Sequence, residues 1–143
     1  MRTNIQKTEP EAYKAMFGLE KYLNGSRLSP THRDLIKLRA SQVNGCAYCI
    51  NLHTREARQR GETEQRLYLL PVWQETTLFT PEERALLALT EEVTRIGQRV
   101  SEATYQQAAA VFDEQYLAQI IIAIATINAW NRIAIATELP LEA

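Results

Sequence analysis

The chain has 143 residues, enough for one domain with a core of its own, and it carries 16 basic and 17 acidic side chains. That near balance, a net charge of −1, excludes a basic nucleic-acid face and a polybasic membrane anchor. The opening Met1-Arg2-Thr3-Asn4-Ile5-Gln6-Lys7 is polar and lacks the apolar run of a secretion signal, so a cytoplasmic, reducing setting is expected.

Helical signals follow one another along the chain, with no convincing strand, internal repeat or low-complexity linker. A first helix is predicted over residues 10–23 and closes at Asn24-Gly25. Ser29-Pro30 reads as a cap followed by proline in the first turn of a helix over 31–43, with Leu35, Ile36, Leu38 and Val43 as its apolar positions. Asn44-Gly45 breaks it. A third helix is predicted from Cys46 to Arg60, stopping at Gly61 with arginines in its last turn, where they complement the helix dipole. Thr63 caps a short segment through Leu70, which Pro71 ends or kinks.

Thr80-Pro81-Glu82-Glu83 carries the capping-box pattern, and Leu86, Leu87, Leu89, Val93 and Ile96 give that helix its buried face. Ser101 caps a helix to Phe112, and Asp113 caps the last and longest, to about Thr137. Gln119, Asn128, Asn131 and Arg132 interrupt its apolar run, which suits a core or interface helix and not a membrane span. The expected architecture is all-α, a compact bundle of six to seven helices forming one domain over 1–143.

The chemistry lies in Cys46-Ala47-Tyr48-Cys49-Ile50-Asn51-Leu52-His53. On a helix, Cys49 and His53 are neighbours at i, i+4, and Cys46 stands two turns from His53, so the three share one stripe. The start of a helix favours thiolate over thiol, and His53 can take the thiol proton. A thiolate attacks a peroxide oxygen to give a sulfenic acid, which a second thiol three residues away can close to a disulfide. Asp34, on the preceding helix, is a candidate to orient His53 if the Asn44-Gly45 break folds the two helices together. Tyr48 either packs or hydrogen-bonds a reacting group.

Two other readings of the same residues stand beside this one. A zinc site would combine Cys46, Cys49, His53 and either His32 or Asp34. Alternatively, the cysteines are inert packing residues. A c-type haem is excluded because residue 50 is Ile. No flavin or nicotinamide motif is present, and neither a cofactor nor a metal is assigned. His32 reads as a solvated side chain, and Trp73 and Trp130 as core or interface residues.

The stretch 34–58, DLIKLRASQVNGCAYCINLHTREAR, resembles the signature of the alkylhydroperoxidase D (AhpD-like) branch of the carboxymuconolactone decarboxylase family. That signature is a glutamate, eleven residues, then Cys-x-x-Cys-x-x-x-His, and Cys46, Cys49 and His53 match it in type and spacing. Residues 80–94 and 127–135 resemble the family as well. The family also holds decarboxylases of a lactone intermediate that do not depend on the cysteine pair, so keeping both cysteines argues for the peroxidase side.

The resemblance implies an all-helical fold, a homo-oligomer built as a trimer or hexamer, and thiol-dependent reduction of hydroperoxides. It makes Cys49 the peroxidatic cysteine and Cys46 the resolving one, and places His53 in the proton relay. The relay glutamate falls on Asp34, one methylene shorter. The implied partners are a hydroperoxide and an external dithiol reductant, a lipoyl group or a thioredoxin-like protein. The alternative function is a thiol–disulfide oxidoreductase that meets peroxide only incidentally.

Overall fold

The structure is a computed structural model and describes residues 1–142. Among these there are eight α-helices and no strand: α1 (Ile5–Thr8), α2 (Pro10–Asn24), α3 (Pro30–Asn44), α4 (Ala47–Gln59), α5 (Glu64–Leu69), α6 (Pro81–Thr94), α7 (Glu102–Val111) and α8 (Glu114–Thr137). The fold is therefore all-α, as expected. The helix beyond the expected six to seven is α1, a single turn whose Asn4 cap accepts from the Lys7 amide.

Most boundaries follow side-chain caps that satisfy the free amides of a first turn. Ser29, Thr63, Ser101 and Asp113 each accept from the amide three residues on. Thr80 and Glu83 complete a reciprocal capping box. Pro71 ends and kinks its helix, as expected: α5 stops at Leu69, and the 3-10 segment Leu70–Glu75 that follows is broken at Val72 (φ −122°, ψ 32°) and places Trp73 in the core. Ile96 departs from its expected place: α6 ends at Thr94, and Ile96 sits exposed in a short 3-10 turn.

Helices α3, α6 and α8 form the centre, with Leu35, Ile36, Leu38, Leu86, Leu87, Leu89, Ile120 and Ile124 buried between them. Helix α8 is long and apolar enough to cross a membrane by length and composition, but here it packs as the core helix of the bundle. Its run Ile120–Ile124 is buried on one side, while Ile122 is 40% exposed.

Polar contacts fix the register of this centre. Arg39 and Trp73 both donate to the Glu91 carboxylate, at 2.6 and 2.9 Å, tying α3 and the 3-10 segment to α6. Asn131, fully buried, donates to Ser41 and accepts from Asn44, while Asn128 accepts a second bond from Asn44. A buried amide left unpaired would cost a few kcal/mol, so this network holds the end of α3 against α8 in one position.

Candidate active site

The end of α3 sets the site. Gly45 adopts φ +71°, the left-handed conformation, and the Cys46 amide donates back to Ser41 O at 3.0 Å. This is a Schellman-type stop, and glycine meets its backbone demand without strain. The chain reverses within two residues, so α4 returns alongside α3.

Cys46 is the cap of α4 and lies outside it. Its backbone is extended, and its Sγ accepts from the Cys49 amide at 3.3 Å. The helix thus begins one residue later than expected, and Cys46 does not share a helical stripe with His53. Cys46 and Cys49 are joined as a disulfide, with Cα atoms 5.3 Å apart. Both are buried, packed with Ala134, Tyr48 and Leu139.

The two cysteines stand differently toward the cleft. A cleft of about 660 Å³ runs between α2, α3, α4 and α8, and Cys49 lines it while Cys46 does not. One turn along α4 from Cys49, His53 lines the same cleft. Its Nδ1 lies 2.9 Å from Glu56 Oε1. The hydrogen bond with His53 holds Glu56 below the usual carboxylate range, against the opposing effect of partial burial. Glu56 is therefore ionised at neutral pH and can only accept, so Nδ1 carries the proton and Nε2 is left as the basic nitrogen.

Asp34 lies elsewhere than expected. It is buried and lines the cleft, but its carboxylate is gripped by the Arg60 guanidinium through both oxygens and is not hydrogen-bonded to His53. Helices α3 and α4 run antiparallel, which sets the start of α3 beside the end of α4, away from the sulfurs. The carboxylate beside His53 is Glu56, three residues along the same helix. The His-x-x-Glu spacing was the available signal in the sequence.

The Tyr48 hydroxyl donates to Glu142 Oε1 at 2.8 Å. Burial, then this bond, pushes the phenol up to about 12. Asn51 and Arg55 donate to the Glu142 carbonyl. The segment after α8 is thus strapped along α4, and it sets Leu139 against the cysteine pair.

Trp130, expected in the core or an interface, forms one wall of the cleft with Tyr13 and Phe17, at ring separations of 5.3 and 5.4 Å. Trp73 is in the core. His32 is not solvated: it is half-buried, 2.6 Å from the Tyr116 hydroxyl and edge-on to Phe112. Burial lowers its pKa below the usual histidine value. Among the described residues, no group of three or more His, Cys, Asp or Glu side chains is placed to hold a metal ion.

Comparison with known proteins gives this arrangement a context. The model of the carboxymuconolactone decarboxylase family matches residues 10–92, more than half of the chain. The chain belongs to that family. Within it, this AhpD-like protein is 44% identical over 136 residues to the uncharacterized protein YdfG of Bacillus subtilis, covering 94% of this chain and 92% of YdfG.

Its fold matches the crystal structure of an Agrobacterium tumefaciens protein of unknown function, described as an AhpD antioxidant defence protein. The TM-score is 0.96 at 39% identity, over 99% of this chain and 98% of that one. The debrominase Bmp8 shares the fold alone, with a TM-score of 0.87 at 20% identity over 96% of this chain and 75% of Bmp8. This AhpD-like protein therefore shares its fold with proteins of more than one description, and the fold alone does not name the reaction.

Proposed function

We propose that this AhpD-like chain is a thiol peroxidase in which Cys49 attacks the peroxide and Cys46 resolves the product. The observation that carries this reading is the asymmetry of the pair: Cys49 opens to the cleft beside His53, and Cys46 does not.

From the reduced state, His53 Nε2 takes the Cys49 thiol proton. The thiolate attacks one peroxide oxygen; an S–O bond forms and the O–O bond breaks. The proton returns from His53 to the leaving alkoxide, giving an alcohol and a Cys49 sulfenic acid. The Cys46 thiol then displaces water from that sulfenic acid and closes the disulfide. Glu56 keeps the imidazole in the required tautomer and stabilises its cation. Asp34 holds Arg60 in the far wall of the cleft, and Tyr48 holds the strap over the pair.

An external dithiol returns the cysteines to the reduced state by exchange. Relative exposures of 1% for Cys46 and 3% for Cys49 favour a slender donor such as a lipoyl arm over a flat-faced thioredoxin-like protein. Exposed Phe17, Tyr22 and Ile122 suit a homo-oligomer, trimer or hexamer.

The test is to reduce the protein anaerobically, add stoichiometric organic hydroperoxide and count free thiols with time. Wild type should lose two thiols, Cys46→Ser should stop at a sulfenic acid, and Cys49→Ser should stay inert. Thiols that survive peroxide but oxidise readily with a lipoyl disulfide would replace this reading with a thiol–disulfide oxidoreductase.

A further inference from the structure

The cleft that serves Cys49 also holds two cations that the peroxidase reading does not use. Arg33 and Lys37 stand one turn apart on α3 and both line it. Their side chains are only 17% and 14% exposed, and both face the same carboxylate, Glu20, at 3.9 and 3.6 Å. These distances are longer than a charge-assisted hydrogen bond. Glu20 is further shared, because its other oxygen accepts from Trp130 Nε1 at 3.1 Å.

Among the described residues neither cationic head donates a hydrogen bond within the chain, and Arg33 Nε is buried with no acceptor at all. The other charges at the cleft are Asp34 with Arg60, Glu142 with Arg55 at its edge, and the Glu56 carboxylate on neutral His53. What is left over is a set of unfilled N–H donors on two closely spaced cations in a partly dry place. A buried cation without an acceptor is costly, and an anion entering the cleft would relieve that cost.

The position sets a length. Asp34 pairs with Arg60 across antiparallel α3 and α4, so Lys37, three residues further along α3, lies opposite the Glu56 turn of α4. Seven residues separate Glu56 from Cys49, and at a rise of ~1.5 Å per residue this is about 10 Å along the helix. The aromatic wall of Tyr13, Phe17 and Trp130 lines the same cleft, with Trp130 tied to Glu20 beside Lys37.

We propose that Arg33 and Lys37 form an anion subsite that anchors the carboxylate of an organic hydroperoxide, laying its apolar body on Tyr13, Phe17 and Trp130 and its peroxide at Cys49. The preferred substrate is a carboxylate-bearing hydroperoxide with about 10 Å between its two polar ends. This rests on the peroxidase reading for the chemistry, but the binding it requires can be measured without turnover.

The experiment uses the wild-type chain with ω-hydroxyoctanoate and its methyl ester, unreactive analogues of the alcohol product, followed by calorimetry. The acid should bind at least about tenfold more tightly than the ester, the scale of a charge-assisted contact. Lys37→Met and Arg33→Met should each shrink that ratio, and Lys37→Arg should keep it. With ω-hydroperoxyoctanoate as substrate, Lys37→Met should raise KM and spare kcat. Equal binding of acid and ester to wild type would overturn the subsite, as would a ratio that survives both methionine variants. If ω-hydroperoxyoctanoate is not reduced, the peroxidase reading falls, and the acid-to-ester binding ratio still decides the subsite.

Discussion

Removing Arg60 should damage this protein more than neutralising the aspartate it holds. The two partners are unequally placed: the Asp34 side chain is 5% exposed and the Arg60 side chain 43%. In Asp34→Asn the guanidinium keeps one acceptor and can turn into water, so the loss is about 1 kcal/mol. In Arg60→Met a carboxylate is left in a nearly dry site with no partner. Such breaks cost ~3–5 kcal/mol, and the open cleft lets water in, so about 3 kcal/mol is expected.

For a chain of this length, each kcal/mol moves the melting temperature by about 4 °C. The expected falls are therefore about 4 °C for Asp34→Asn and about 12 °C for Arg60→Met. The double variant Asp34→Leu/Arg60→Met should recover most of the larger loss, since it removes the stranded charge. Thermal unfolding of all four proteins under identical reducing conditions reads this directly. Equal losses in the two single variants, or a double variant no better than Arg60→Met, would refute the argument from unequal burial.

Glu56→Gln removes the charged partner of His53 and should slow peroxide reduction by about 10- to 100-fold, more than Asp34→Asn does, in a stopped-flow thiol assay. His32 has its pKa lowered by burial, so the unfolded chain binds its proton first. Stability from this group is present above the ordinary histidine value and is lost as pH falls through the lower folded one, a slope on the acid side of about 6.5 that His32→Phe should flatten. Burial pushes Glu83 up, but bonds from Arg66 and Thr80 outweigh it and hold it below the usual range. Wild type therefore keeps that contribution above the ordinary glutamate value and loses it as pH falls further, whereas Arg66→Met should gain stability on acidification from neutral pH, read by urea titration at several pH values. Thr80→Ala removes half of a capping box and should cost ~1–2 kcal/mol in the same titration.

The helix starts were legible because each is a local event. Ser29, Thr80, Ser101 and Asp113 act on amides three residues away, so one short stretch contains both partners. The Cys46–Cys49 closeness and the Cys49–His53 spacing were legible for the same reason, but the common stripe with Cys46 was not, because Cys46 caps α4 from outside it. What the sequence hid is long-range or ambiguous in pairing. Asp34 and Arg60 are 26 residues apart, and nothing local says that this arginine, among three close together in α4 and its end, takes that carboxylate. The strap contact of Glu142 with Tyr48 spans 94 residues. His32 looked solvated because its sequence neighbours are polar, while Phe112 and Tyr116 reach it from α7's end and α8. Glu56 was within reach, at helical spacing from His53, but a carboxylate on the preceding helix drew the assignment away.

The bond from the Cys49 amide to Cys46 Sγ gives this chemistry an inbuilt reporter. The sulfur that caps α4 is also the sulfur that cycles through the reaction. A disulfide sulfur and a free Cys46 thiol are different acceptors, so the surroundings of the Cys49 amide should change between the oxidised and reduced states. The Cys49 amide proton is then a native gauge of redox state. Its chemical shift and its exchange with deuterium should follow turnover, with no dye or label placed near the cleft.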